Sequence, residues 1–319
     1  MPVVAPIAPT LDEVHAAAKL LAPHIVRTPL LRLEVSDTPN EIFLKLENLQ
    51  PIGVFKVRSM GNAMLSVEDG ALRQGVYTAS SGNAGLGLAW MAQRLDIPAT
   101  VYAPGSAPAA KLDAVRDFGA SVQRLDDDEW WKIIEMGGHP KDPGLYVDAV
   151  RSPAALAGNA TIGLEIIEDL PDVDTVFVPF GGGGVACGIS SAIRAIKADT
   201  RIVVAESDAA APVTAAFKKG RPVTIAMQPS FISGAGAPSV LTEMWPLVSR
   251  LVDSTVVMPV SEVAAAVRLL FEKNQVVAEG AGAISVAGAL ANRAGSGKTV
   301  CVVTGGNIDA DVMAKILQQ

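Results

Sequence analysis

The chain has 319 residues, 50% of them hydrophobic and 18% charged, a balance that excludes a disordered chain and allows one or two domains with a large buried core. Its net charge is −7 with no basic run, which argues against nucleic-acid binding through phosphate neutralisation. Two cysteines, Cys187 and Cys301, and three histidines, His15, His24 and His139, exclude a four-cysteine zinc site, a disulfide scaffold and a histidine-rich metal hydrolase.

The opening Met1-Pro2-Val3-Val4-Ala5-Pro6 lacks the basic region of a signal peptide, and no apolar run reaches the 18 or so residues of a membrane span. A cytoplasmic protein without membrane partners is therefore expected. Thr10 and Glu13 form a capping-box pair ahead of a helix predicted over 14–21. Strands are predicted over 76–79, 99–102, 176–178, 202–205 and 300–303. Helical patterns lie between them, over 86–91, 111–118 and 185–196. Apolar strands alternating with helices imply parallel sheets covered on both faces. No solenoid repeat and no long linker divides the chain, so two domains would be intertwined.

Four segments carry chemistry. Gly181-Gly182-Gly183-Gly184-Val185-Ala186-Cys187-Gly188 follows a strand and opens a helix. Successive glycines expose backbone N–H groups, and the helix N-terminus adds roughly +0.5 charge, so the segment reads as a phosphate cradle. Gly182, Gly184 and the later Glu206 also imitate a dinucleotide fingerprint, although Cys187 stands where its third glycine belongs. A second glycine-rich stretch, Gly295-Ser296-Gly297-Lys298-Thr299, resembles the end of a P-loop, but Asn292 replaces the required glycine and the stretch precedes its strand. It reads as a turn.

Lys56 lies between Phe55 and Val57 after a Pro/Gly turn. An apolar setting lowers a lysine's pKa and leaves the neutral amine that attacks a carbonyl; a snorkelling surface lysine is the other reading. Thr78-Ala79-Ser80-Ser81-Gly82-Asn83-Ala84-Gly85 runs from strand to helix, and its hydroxyls and free N–H groups suit a small carboxylate or merely cap the helix. Val303-Thr304-Gly305-Gly306-Asn307 ends a strand, where open α/β sheets bind ligands.

In this order, and together with Arg27-Thr28-Pro29-Leu30 and Ala157-Gly158-Asn159-Ala160-Thr161-Ile162-Gly163, the four segments resemble the serine/threonine dehydratase family of pyridoxal-phosphate enzymes, fold type II. The resemblance implies an α/β protein of two intertwined domains, each an open, largely parallel twisted sheet flanked by helices. Residues 1–72 and 148–319 would form a large cofactor-binding domain. Residues 73–147 would form a small domain carrying the substrate-carboxylate loop.

The resemblance also distributes roles. Lys56 would carry the pyridoxal 5'-phosphate and act as catalytic base, with Phe55 beside it. Gly181, Gly182, Gly183, Gly184 and Val185 would hold the phosphate, Asn83 the ring hydroxyl, and Thr304 the ring nitrogen. Ser80, Ser81, Gly82, Asn83, Ala84 and Asn159 would bind substrate. Ser81 would face the substrate Cα opposite the lysine, where racemases place a proton-delivering serine. Several positions depart from the family pattern. Val54 replaces a small hydroxyl residue, Ala84 a histidine, and Ser233-Gly234 an Asp-Gly pair. Pro212 replaces the second acid of a cation site that would include Glu206, so no metal is expected.

The implied activity is an ammonia-lyase converting a β-hydroxy amino acid, L-threonine first and L-serine second, to a 2-oxo acid. The absence of a regulatory segment after Gln319 points to the catabolic type, and a homodimer is expected. The alternatives are a dehydratase of phenylserine or hydroxyaspartate, a serine racemase, an NAD-dependent oxidoreductase and an inactive ligand-binding module.

Overall fold

The computed structural model describes residues 4–35, 38, 40–107, 109–291 and 297–318. Thr10 caps α1 (Leu11–Leu21): its hydroxyl accepts from the Glu13 N–H, and the Glu13 carboxylate accepts from the Thr10 N–H at 2.7 Å. The chain continues through β1 (Leu30–Arg32), β2 (Asn40–Lys45), α2 (Lys56–Leu65), β3 (Val76–Ala79), α3 (Asn83–Leu95), β4 (Ala99–Pro104) and α4 (Ala109–Asp117). β5 (Ser121–Leu125), α5 (Asp127–Met136), β6 (Leu145–Tyr146), α6 (Pro153–Asp169), β7 (Thr175–Pro179) and α7 (Gly184–Ile196) follow. The last third holds β8 (Arg201–Ser207), α8 (Pro212–Lys219), α9 (Trp245–Leu251), β9 (Ser254–Met258), α10 (Val260–Asn274), α11 (Gly280–Ala291), β10 (Gly297–Val302) and α12 (Ala310–Leu317).

The strands form two sheets, ordered β1-β2-β10-β7-β8-β9 and β5-β4-β3-β6. All neighbouring strands are parallel except the β1–β2 pair. Parallel pairing requires crossovers, which the helices supply, and it explains why Val176, Phe177, Ile202 and Val204 are buried on both faces of their strands. Every strand of the smaller sheet lies between residues 73 and 147. The fold is the α/β, fold type II arrangement that the sequence predicts.

Among the described residues, five of the ten strands match the predicted runs. Three of the other five escaped for physical reasons: β5 is largely exposed and polar, β6 has two residues, and β9 is half-buried. Of the P-loop-like stretch, 292–296 lie outside the described residues. Its remaining part begins β10, where Lys298 Nζ pairs with Asp172 at 2.5 Å. Among the described residues no helix is long and apolar enough to cross a membrane.

Both sheets bring strand ends to one cleft. β3 runs into Ser80-Ser81-Gly82 and α3, β7 into the glycine loop and α7, and β10 into 303–309. These are the carboxyl ends of parallel strands, where the following helices also present their N-termini.

Candidate active site

Lys56 opens α2, and the segment before it is stitched to the end of β10. The Phe55 N–H donates to the Thr304 carbonyl at 3.0 Å, and the Gly306 N–H donates to the Gly53 carbonyl at 2.9 Å. The Lys56 amine lies 4.5 Å from the centre of the Phe55 ring. Enclosure by protein pulls its pKa down to about 8, against an opposing pull from the Asp148 carboxylate. At that value about a tenth of the amine is neutral at pH 7, and the fraction grows as pH rises through 8.

Two cavities meet at this lysine. The inner one, about 70 Å³, is lined by Phe55, Lys56, Asn83, Thr304, the four glycines and Val185. The outer one, about 490 Å³, is lined by Lys56, Asn83, Ser80, Ser81, Gly82 and Ala84, together with Lys111, Ser233 and Glu279.

The inner cavity fits a phosphate. Gly183 has φ +99°, and a Cβ there would meet the Phe180 ring at 3.0 Å. A Cβ on Gly181 would meet the Gly234 carbonyl at 2.6 Å, and one on Gly182 would meet Val150 at 2.7 Å. Only glycine lets this loop close against its neighbours. The first N–H groups of α7 have no partner inside the helix, and its first turn carries no acid. Thr304 is buried, and its hydroxyl donates to the Ala281 carbonyl at 3.3 Å. A group with a phosphate, a ring nitrogen, a ring hydroxyl and a carbonyl would find a partner for each here.

Asn83 opens α3 and is held on two sides. Its Oδ1 accepts from Asn307 Nδ2 at 3.0 Å, and its Nδ2 donates to Glu279 Oε1 at 2.8 Å. Asn307 Nδ2 also donates to the Ile52 carbonyl at 3.1 Å. Glu279 is 4% exposed, and burial raises its pKa to about 7, although Lys111 and the Asn83 hydrogen bond pull the other way. The sequence reading missed Glu279, which lies in the apolar run Val276-Val277-Ala278-Glu279-Gly280-Ala281; an acid in such a run was the available signal.

Ser80 is buried and its Oγ accepts from the Gly82 N–H at 3.1 Å, so Ser80 shapes the turn. Ser81 faces the outer cavity, and no hydrogen bond ties its hydroxyl to another described residue. Across the mouth, Lys111 Nζ on α4 donates to Ser233 Oγ at 2.6 Å.

Asn159 is the one predicted site residue not brought to either cavity. It is fully buried on α6 against α7, and its side-chain amide has no hydrogen-bond partner among the described residues. Glu206 is also engaged elsewhere. Its carboxylate accepts from the N–H groups of Val213 and Thr214 and from the Thr214 hydroxyl, at 2.7–2.8 Å, and so caps α8 behind Pro212. That geometry removes it from the ribose-binding role that a dinucleotide site would require.

A buried ionic cluster supports α2. Arg58 donates to both oxygens of Glu47 at 2.8 Å and to both oxygens of Glu165 at 2.7 and 2.9 Å. Lys45 Nζ donates to Glu165 at 2.6 Å and to the Thr28 carbonyl at 2.7 Å. Burial disfavours ionised Glu47, but Arg58 outweighs it and holds the carboxyl below its usual range.

Two parallel sheets with a lysine, a glycine cradle and a hydroxyl loop at their shared cleft define a cofactor-dependent enzyme of fold type II. The signature of the pyridoxal-phosphate dependent enzymes matches residues 21–305, and the chain belongs to that family. It is 37% identical over 283 residues to an L-threonine ammonia-lyase of Geobacter sulfurreducens, covering 87% of this chain and 70% of that protein. It is 33% identical over 318 residues to the catabolic L-threonine dehydratase TdcB of Escherichia coli K12, covering 96% and 95%. Among solved structures, maize serine racemase superposes with a TM-score of 0.88 at 29% identity, covering 98% of both chains. The processed form of threonine deaminase isoform 2 from Solanum lycopersicum gives 0.86 at 27% identity, covering 99% of this chain and 96% of that one.

Proposed function

We propose that this pyridoxal-phosphate enzyme is an ammonia-lyase that converts L-threonine, and L-serine more slowly, to the 2-oxo acid and ammonia. The observation that carries the reading is Lys56 at the junction of a phosphate-sized cavity and a hydroxyl-lined outer cavity. Similarity to threonine ammonia-lyases over nearly the whole chain supports the substrate. The cofactor supplies the electron sink at the substrate Cα. Lys56 would hold it, and its neutral amine would take the proton from the substrate Cα. The N–H groups of 181–185 would bind its phosphate, Asn83 would meet its ring hydroxyl, and Thr304 would meet its ring nitrogen. Because Thr304 is a neutral hydroxyl, it would not protonate that nitrogen. The loop Ser80-Ser81-Gly82-Asn83-Ala84 binds the substrate carboxylate.

The two sheets are read as two domains, 73–147 on one side and 1–72 with 148–319 on the other, closing over the substrate. The free, buried Cys187 and Cys301 suit a reducing cytoplasm. The working form is read as a homodimer, which light scattering tests directly.

A panel of β-hydroxy amino acids assayed for 2-oxo acid and ammonia tests the activity. Threonine should give the highest kcat/KM; turnover confined to phenylserine or hydroxyaspartate would replace it as substrate. A second reading, serine racemisation, is favoured by the unpartnered Ser81 hydroxyl at the outer cavity. Chiral chromatography of serine decides it, since D-serine formed faster than pyruvate makes the protein a racemase.

A further inference from the structure

Glu279 is buried, yet it has no salt bridge among the described residues, and its Oε2 has no hydrogen-bond partner. The charged groups sharing its cavity are Lys56 at the start of α2, Lys111 on α4 and Asp309 before α12. α3 brings only the uncharged Asn83, and the 230–234 loop brings Ser230, Phe231, Ser233 and Gly234. An unpaired carboxylate in such a place is costly, so the group favours the neutral acid.

The hydrogen bonds fix where the proton sits. The chain starts at a group that can only accept, the Ile52 carbonyl, to which Asn307 Nδ2 donates. The same nitrogen donates to Asn83 Oδ1, which turns Asn83 Nδ2 towards Glu279 Oε1. Oε1 must therefore accept, and a proton on the carboxyl belongs on Oε2. We infer that Glu279 is a positioning residue that works protonated: its Oε1 fixes the Asn83 amide, and its Oε2 carries the proton. Asn83 then keeps its second N–H for the ring hydroxyl of the cofactor. Ionisation removes one donor, places a negative charge beside that hydroxyl and disfavours the productive arrangement.

This inference rests on the proposed reading of Lys56 and its cavities. Borohydride reduction followed by peptide mass spectrometry tests that reading separately: a pyridoxyl group anywhere but Lys56 overturns the site and the role of Glu279 with it, whereas failure of the titrations below overturns the role of Glu279 alone. With Lys56 confirmed, the visible absorption of the holoenzyme is titrated for wild type, Glu279→Gln and Glu279→Leu. The wild-type spectrum should change with a midpoint near neutral pH, and kcat/KM should fall on the same alkaline limb. Glu279→Gln accepts from Asn83 and carries a fixed donor, so it should keep the low-pH spectrum throughout and lose that limb. Glu279→Leu is also neutral but accepts nothing, and its cofactor affinity should fall at least about tenfold, or 1.4 kcal/mol. The proposal is overturned if Glu279→Gln titrates like wild type, or if Glu279→Leu binds cofactor as well as Glu279→Gln. Should Glu279→Gln not fold, a wild-type spectrum unchanged between about pH 6 and pH 8.5 also overturns it.

Discussion

Lys56 must be neutral to attack a carbonyl, and its surroundings pull in two directions. Enclosure lowers its pKa to about 8, while Asp148 raises it. Attachment of pyridoxal phosphate to the apoprotein should therefore accelerate as pH rises through about 8 and level off above it, followed by visible absorbance. Lys56→Ala should abolish attachment, and loss of the base alone should slow turnover by about 10²–10⁴-fold. Ser81 tests a finer point. Its hydroxyl caps nothing, since the residue before α3 is Gly82 and no side chain caps it. Ser81→Ala should abolish any conversion of L-serine to D-serine, while ammonia release slows less because the loop N–H groups still bind the carboxylate. Equal loss of both activities, measured on one preparation, would assign Ser81 to carboxylate binding alone.

At the scale of elements, the loop before α7 and the first turns of α2 carry different burdens. Gly183 sits at φ +99° against Phe180, so Gly183→Ala adds backbone strain and a contact at 3.0 Å. Cofactor affinity, measured by equilibrium dialysis, should drop at least about tenfold, or 1.4 kcal/mol. Under α2 the issue is stability. Arg58→Met leaves Glu47 and Glu165 buried without their shared partner, a loss of about 3–5 kcal/mol in denaturant unfolding. Replacing Lys45, Glu47 and Glu165 as well, by apolar groups of similar volume, should restore much of it, since Lys45 would otherwise stay buried without Glu165. The glycine loop was legible because its chemistry is local: four glycines at a strand-to-helix turn. The ionic cluster was not. Lys45, Glu47 and Arg58 stand close in sequence, but Glu165 joins them from α6, and only the packing of α6 on α2 brings it there. The same distance effect misled for Asn159, whose neighbourhood resembles the family while its side chain points into the α6–α7 contact.

Across the whole molecule, the cleft is held by few polar links, and each joins an element of the smaller sheet to the larger one. Asn83 reaches Glu279 and Asn307, and Lys111 reaches Ser233. Alternating apolar strands and helices made parallel sheets readable in advance, and the family resemblance implied two of them, but side chains meeting across 122 or 196 residues of sequence separation are visible only in three dimensions. Lys111 lines both the main outer cavity and a side cavity of about 230 Å³, and a Cβ on Gly82 would lie 4.0 Å from its Nζ. It is thus placed to act on the substrate carboxylate as well as on Ser233. The two roles separate by mutation. Ser233→Ala removes the link across the mouth and keeps the cation, so KM for threonine should rise only a few-fold, in keeping with a partly exposed hydrogen bond worth about 0.5–1.5 kcal/mol. Lys111→Met removes both, and KM should rise beyond that, with kcat changed less because the chemistry at Lys56 is untouched. Raising the salt concentration should weaken substrate binding more in the Ser233→Ala protein than in Lys111→Met, since only the former retains the Lys111 charge to be screened. Equal KM values for the two variants, insensitive to salt, would reduce Lys111 to a mechanical tie between the layers.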